Sequence, residues 1–260
     1  MLRRGRRGAV RVAGGYTLAG AVMGIELKTA HGRAPEHGYS RAVAHIFLAA
    51  IALSVAACGS DDGDSSTKVN GSIHVAAGQQ PGAVTTVNGS IQIDDGATVT
   101  SATTVNGSVR LGDHTSATSL NSVNGSITLG SDAHVSGGVS SVNGALTLKQ
   151  GSEVAGTLSN VNGKISLADA HAAAGIKTVN GSIDILGASH VEGGIRIEKG
   201  GSGLLNFGNN VPRIVIGPGA TVQGDLKFER NVQLYVSDKA TIGNVTGATP
   251  IPFSGDAPPN

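Results

Sequence analysis

Aromatic side chains make up only 3% of this 260-residue chain, and tryptophan is absent. Rings dominate the cores of compact domains, so an ordinary globular core is a poor fit. The single cysteine, Cys58, excludes an internal disulfide. There is no glycine-rich phosphate loop, no nucleophile elbow, and no cysteine other than Cys58 to pair with a histidine. An excess of positive charge is also missing. Residues 1–57 hold eight of the 19 Lys and Arg and two of the 18 Asp and Glu, so from Cys58 on the balance is 11 minus 16, or −5. That leaves no electrostatic footprint for nucleic acid. What the chain has instead is 40 glycines, natural in a narrow stack of short coils with small side chains at tight corners.

Those glycines belong to a repeat. Val-Asn-Gly recurs with its asparagine at Asn70, Asn88, Asn106, Asn124, Asn143, Asn162 and Asn180, in steps of 18, 18, 18, 19, 19 and 18 residues. A fixed period this short marks stacked repeats. Counting from the valine, a branched apolar residue follows at the fourth position (Ile73, Ile91, Val109, Ile127, Leu146, Ile165, Ile183) and another at the sixth. The residue between them is polar in every copy. That alternation reads as a strand with one face inside. Further apolar positions lie near the twelfth residue (Val99, Val135, Val154, Val191) and three before each motif (Val84, Leu120, Val139, Leu158, Ile176).

The predicted fold is all-β: a single-stranded parallel β-helix, or β-solenoid, with rungs of about 18 residues stacked ~4.8 Å apart. About five Val, Ile or Leu per rung, each worth ~1.5–3 kcal/mol when buried, drive the stacking. The asparagines fall into one column whose amides can bond up and down the stack. The neighbouring glycine is expected to supply a left-handed or strained corner. Asn-Gly between apolar runs is also a hairpin signal. The solenoid is favoured because like positions match from repeat to repeat rather than across each Asn-Gly.

The chain divides as follows. Residues 1–57 form a leader with Arg3, Arg4, Arg6, Arg7 and Arg11 at its start and an apolar run over 42–57. It is long, and a start at Met23 gives a shorter one. Residues 58–67 are Cys58 and a polar tether, 68–194 regular rungs, 195–245 irregular rungs and a cap, and 246–260 a tail read as disordered from its four prolines.

Two sets of residues are candidates for chemistry. Asp94, Asp95, Asp113 and Asp132 sit at corners, where Asp and Gly simply make turns, and that reading is preferred to a carboxylate or calcium site. His134, Glu153, His171 and His190 occupy one position of successive rungs, with His114 fitting less well. An outward stripe of imidazole and carboxylate could bind zinc or copper or respond to pH, although such a stripe is most often only a solvated face.

Val55-Ala56-Ala57-Cys58 after an apolar run resembles the lipobox of bacterial lipoproteins. That resemblance implies lipidation of Cys58, a membrane anchor, and, with Gly59 rather than aspartate next, sorting to the outer membrane of a Gram-negative cell envelope, on its periplasmic or outer side. Over about residues 68–245 the repeated Gly-x-Ile-x-Ile and Gly-Ala-Thr-Val-x-Gly elements resemble two families, auto-transporter adhesin head domains and the bactofilins, which are polymer-forming cytoskeletal solenoids. The resemblance implies a right-handed helix, the usual sense of parallel crossovers, with a left-handed helix of 18-residue coils as the alternative. Neither family has catalytic or binding residues to carry over, and no cofactor is expected beyond the lipid on Cys58. Cys58 favours the adhesin-like reading: a non-enzymatic lipoprotein whose rigid solenoid serves as an adhesive or structural surface, with a cell-surface or glycan ligand. The alternatives are a self-polymerising scaffold and, as a minor reading, a carbohydrate-active β-helix enzyme. The single rung Ile216–Asp225 is also similar to hexapeptide acyltransferase coils.

Overall fold

A computed structural model describes residues 65–199 and 211–259 of the chain. The leader, Cys58, most of the tether, and Phe207 with its neighbours lie outside the described residues. Every strand pair is parallel, and partners lie one repeat apart: Ile73 opposite Ile91, Ile91 opposite Val109, Leu146 opposite Ile165. The chain is therefore a β-solenoid, with ten strands in one sheet and sixteen in the other among the described residues. The Asn-Gly corners lie over one another instead of capping separate hairpins: Gly89 N donates to Asn106 O at 3.1 Å and Gly144 N to Asn162 O at 3.0 Å.

The ten-stranded sheet runs from Ile73–Val75 through Leu146–Leu148 to Pro250–Phe253. Its inward residues are the fourth and sixth positions of each repeat, and from Ile127 to Ile185 these are fully buried. The larger sheet changes shape along the axis. Thr98–Asn106 and Ser116–Asn124 are single nine-residue strands that carry both remaining sides of their rungs. From the next rung on, the path splits into a short strand (His134–Val135) and a longer one (Val139–Asn143).

The cause of the split is one inserted residue. Buried Val99 and Ala102 are three apart, whereas buried Val135 and Val139 are four apart. The extra residue turns a bent strand into a corner, here Ser136-Gly137-Gly138. Equivalent corners recur at Ala155-Gly156-Thr157 and Glu192-Gly193-Gly194, and they give the later rungs three separate strands.

The valine of each motif points outward. Val69 is 64% exposed, and Val87, Val105, Val123, Val142, Val161 and Val179 are half-buried on the outer face. The residue before it is buried instead: Thr86, Thr104, Ser122, Ser141, Asn160, Thr178. These polar groups are satisfied by the rung below, since Thr86 Oγ1 donates to Gly71 O at 3.0 Å and Thr104 Oγ1 to Gly89 O at 2.9 Å. Such a bond removes the penalty of burying a hydroxyl.

Next, the motif glycine seldom serves a left-handed corner. Among these glycines only Gly71 and Gly163 have positive φ. At Gly89, Gly107, Gly125 and Gly144 the reason is close approach, because a Cβ would overlap the carbonyl oxygen of the preceding motif's glycine.

Finally, residues 246–259 are not a disordered tail. Val245–Thr246 and Pro250–Phe253 form the last rung, with Tyr235 opposite Ile251 and Ser237 opposite Phe253. Asp238 N donates to Phe253 O at 3.0 Å, so the backbone groups of Phe253 and Ile251 point toward the stack. In a parallel strand alternate residues bond to opposite sides, which places Pro250 and Pro252 on the free edge. Proline has no N–H to offer a further strand, so this end of the sheet is blunted.

Candidate functional site

The motif asparagines form an unbroken ladder on the solenoid's surface. Asn88 Nδ2 donates to Asn70 Oδ1 at 3.0 Å, Asn106 to Asn88 at 2.9 Å, and Asn124 to Asn106 at 3.0 Å. Asn143, Asn162 and Asn180 continue it at 3.0, 2.9 and 3.0 Å. Each inner amide thus gives one hydrogen and accepts one, and the column persists through the 19-residue steps because the inserted residue lies on another side. At its C-terminal end the spare acceptor, Asn180 Oδ1, takes a hydrogen bond from Arg230 Nη1, which also donates to Val179 O at 3.1 Å. Arg230 comes from an irregular rung 50 residues on, beyond the reach of any repeat pattern. Asn124→Ala removes two bonds at once, each worth about 0.5–1.5 kcal/mol, and is expected to lower stability by about 1–3 kcal/mol. Asn70→Ala, which removes one, is expected to cost about half as much in the same denaturant titration.

The corner aspartates act on the backbone. Asp95 Oδ1 accepts from Asp113 N at 2.8 Å, Asp113 Oδ1 from Ser131 N at 2.7 Å, and Asp169 Oδ1 from Ala188 N at 2.8 Å. Each carboxylate receives an amide of the next turn. Asp94 instead meets His74 Nε2 at 2.7 Å. His114, Asp132 and Asp169 adopt φ of 56°, 55° and 53°, the left-handed turn conformation that Gly96 and Gly151 supply in neighbouring rungs.

The histidine stripe occupies the short strands. His134 lies opposite Glu153, Glu153 opposite His171, and His171 opposite His190, so the four predicted residues share one outward column. Ser116, not His114, precedes them in it. Glu153 is shared between two rings: Oε2 meets His134 Nδ1 at 3.2 Å, and Oε1 lies 3.6 Å from His171 Nδ1. His171 Nε2 contacts Glu192 Oε1 at 2.9 Å, and the His171 and His190 rings are 5.5 Å apart, tilted by 47°. Glu192 is a member of this cluster that the column pattern misses. It lies two residues beyond His190, on the same strand face, where other rungs carry Ser136, Ala155 or Ala173. Alternation from His190 would have found it.

Elsewhere among the described residues, three Lys or Arg side chains pair with carboxylates at the surface. Lys164 meets Asp184, Arg196 Nη1 lies 3.1 Å from Glu229, and Lys227 Nζ lies 3.2 Å from Asp225. Arg213 stacks 5.0 Å over the Tyr235 ring. Cys58, the expected lipidation site, lies outside the described residues.

The architecture defines the class, a parallel β-solenoid of about ten rungs. No family model matches the chain, and no curated protein or solved structure matches it.

Proposed function

We propose that this chain is a non-enzymatic lipoprotein of the bacterial outer membrane. Its solenoid acts as a rigid adhesive or structural surface, tethered through Cys58. The observation that carries this reading is the in-register outer face. Thr85, Thr103, Asn121, Ser140 and Ser159 stand opposite one another along one sheet, beside the half-buried valine column. A flat array of small hydroxyl and amide groups with apolar patches between them suits an extended ligand with repeating hydroxyls, such as a glycan. Ser140 Oγ donating to Asn121 Oδ1 at 2.6 Å keeps part of that array in place before any ligand arrives. The lipobox-like sequence before Cys58 supports export and anchoring. The proline-bearing last strand supports a module that works as a single rod, since another rung would lack donors there.

Two measurements on the native chain test this. Protease added to intact cells is expected to remove the solenoid from the surface. The purified chain is expected to remain a single solenoid across concentration while binding immobilised cell-surface glycan. Protection from protease would place the rod in the periplasm as a structural element. Concentration-dependent filaments would replace this reading with that of a bactofilin-like scaffold.

A further inference from the structure

His171, His190 and Glu192 each offer a ligand atom, and the three atoms lie within 4.8 Å of one another. We propose that these residues bind a divalent transition-metal ion of the zinc class on the outward face of the short strands. The inference is independent of the adhesive reading.

The fold brings the donors together. His171 and His190 are direct partners in adjacent parallel strands, so the rung spacing holds their rings side by side. His190-Val191-Glu192 alternates outward, inward, outward, with Val191 fully buried, so Glu192 joins the same face. Ligand atoms around a tetrahedral zinc are about 3.3 Å apart at Zn–N distances of ~2.0–2.1 Å. His171 Nε2 and Glu192 Oε1 are already within that range at 2.9 Å, and no pair has to close by more than about 1.5 Å. His171 is half-buried and Glu192 exposed, with side-chain exposures of 34% and 48%, which leaves room for rotamer changes.

The surroundings suit a metal-binding histidine. The other ring nitrogen of His171, Nδ1, faces Glu153 Oε1 at 3.6 Å, and Glu153 is in turn held by His134. A carboxylate behind a ligating imidazole fixes its orientation and raises its basicity. Two imidazoles and one carboxylate favour zinc or copper over calcium or magnesium, which prefer all-oxygen sets. Three protein ligands leave a fourth position for water. Glu153 is a positioning residue here, not a ligand.

The test is a zinc titration of the full chain, in a Cys58→Ser background so that the thiol does not compete. Zinc alone is the probe, followed by calorimetry and by the histidine ring NMR signals. The expected result is one site whose signals shift at His171 and His190, and a thermal midpoint that rises with zinc. His190→Ala and Glu192→Gln are expected to weaken binding at least tenfold, and Glu153→Gln about 10- to 100-fold. His114→Ala, on the turn outside the stripe, is expected to change nothing. Circular dichroism without metal confirms that each variant folds, and Glu192→Gln changes only an exposed side chain. Absence of binding, or binding that the His171→Ala/His190→Ala double variant retains, overturns the proposal.

Discussion

Gly125→Ala is expected to destabilise the solenoid by about 3 kcal/mol or more, the upper range for forcing atoms into a packed site. A Cβ at this position would overlap the Gly107 carbonyl group and lie 3.1 Å from Ser108 N. All of these atoms are backbone, so no side-chain rotation relieves the overlap. Moving the rung away breaks bonds on both sides of the corner: Ser122 Oγ to Gly107 O at 3.1 Å, and the ladder bond from Asn124 to Asn106 at 3.0 Å. Gly96→Ala provides the contrast. There φ is +69° and nothing lies within 4 Å of a built Cβ. Its cost is conformational alone, about 1–2 kcal/mol, and His114 and Asp132 already occupy the equivalent turn at 56° and 55°. The denaturant midpoints of the two variants separate close approach from backbone strain. Equal losses would mean that rung contact at the Asn-Gly corner is not what requires glycine.

The contrast shows which parts of the fold the sequence could reveal. Rung-to-rung matching is written in the primary structure, because each residue's backbone partner is its own counterpart one period away. The aligned positions Ile91, Val109 and Ile127 are therefore also the paired ones. The asparagine ladder follows from the same identity.

Hydropathy failed where a polar residue lies inside. Thr86 and Thr104 are buried because the glycine carbonyl of the neighbouring rung accepts their hydroxyl hydrogens, and hydropathy alone assigns the interior to the adjacent valine. The change from one bent strand to two strands and a corner is visible only as a spacing of three or four residues between buried positions, which means nothing until the strand path is known. Proline misled at the C-terminus. Its missing donor is compatible with an edge strand that bonds on one side only, so Pro250 and Pro252 close the stack. Of the candidate metal cluster, the column pattern supplied the two histidines. Glu192 required alternation along one strand, and the partnership of Glu153 with two rings required the rung spacing.

Ile165→Ala carries the second large effect, about 2–5 kcal/mol, because the side chain is fully buried and its loss leaves a cavity that packed neighbours only partly fill. Its inward neighbours in the same column are Leu146 and Ile183, one rung to each side. Both are held by their own strand pairs, so neither can move far into the gap. Ile242→Ala, in the half-buried last turns, is expected to cost about 1 kcal/mol. The difference is also one of reach. In a solenoid each rung touches only its neighbours, so stability is close to a sum of rung and interface terms. Weakening a central interface is expected to divide the cooperative unit. Amide hydrogen exchange in Ile165→Ala is then expected to accelerate most in the rungs carrying Leu146 and Ile183, while the outermost rungs keep their rates. Uniform acceleration along the chain would show instead that the rungs unfold as one body, with coupling between them stronger than contact between neighbouring rungs alone provides.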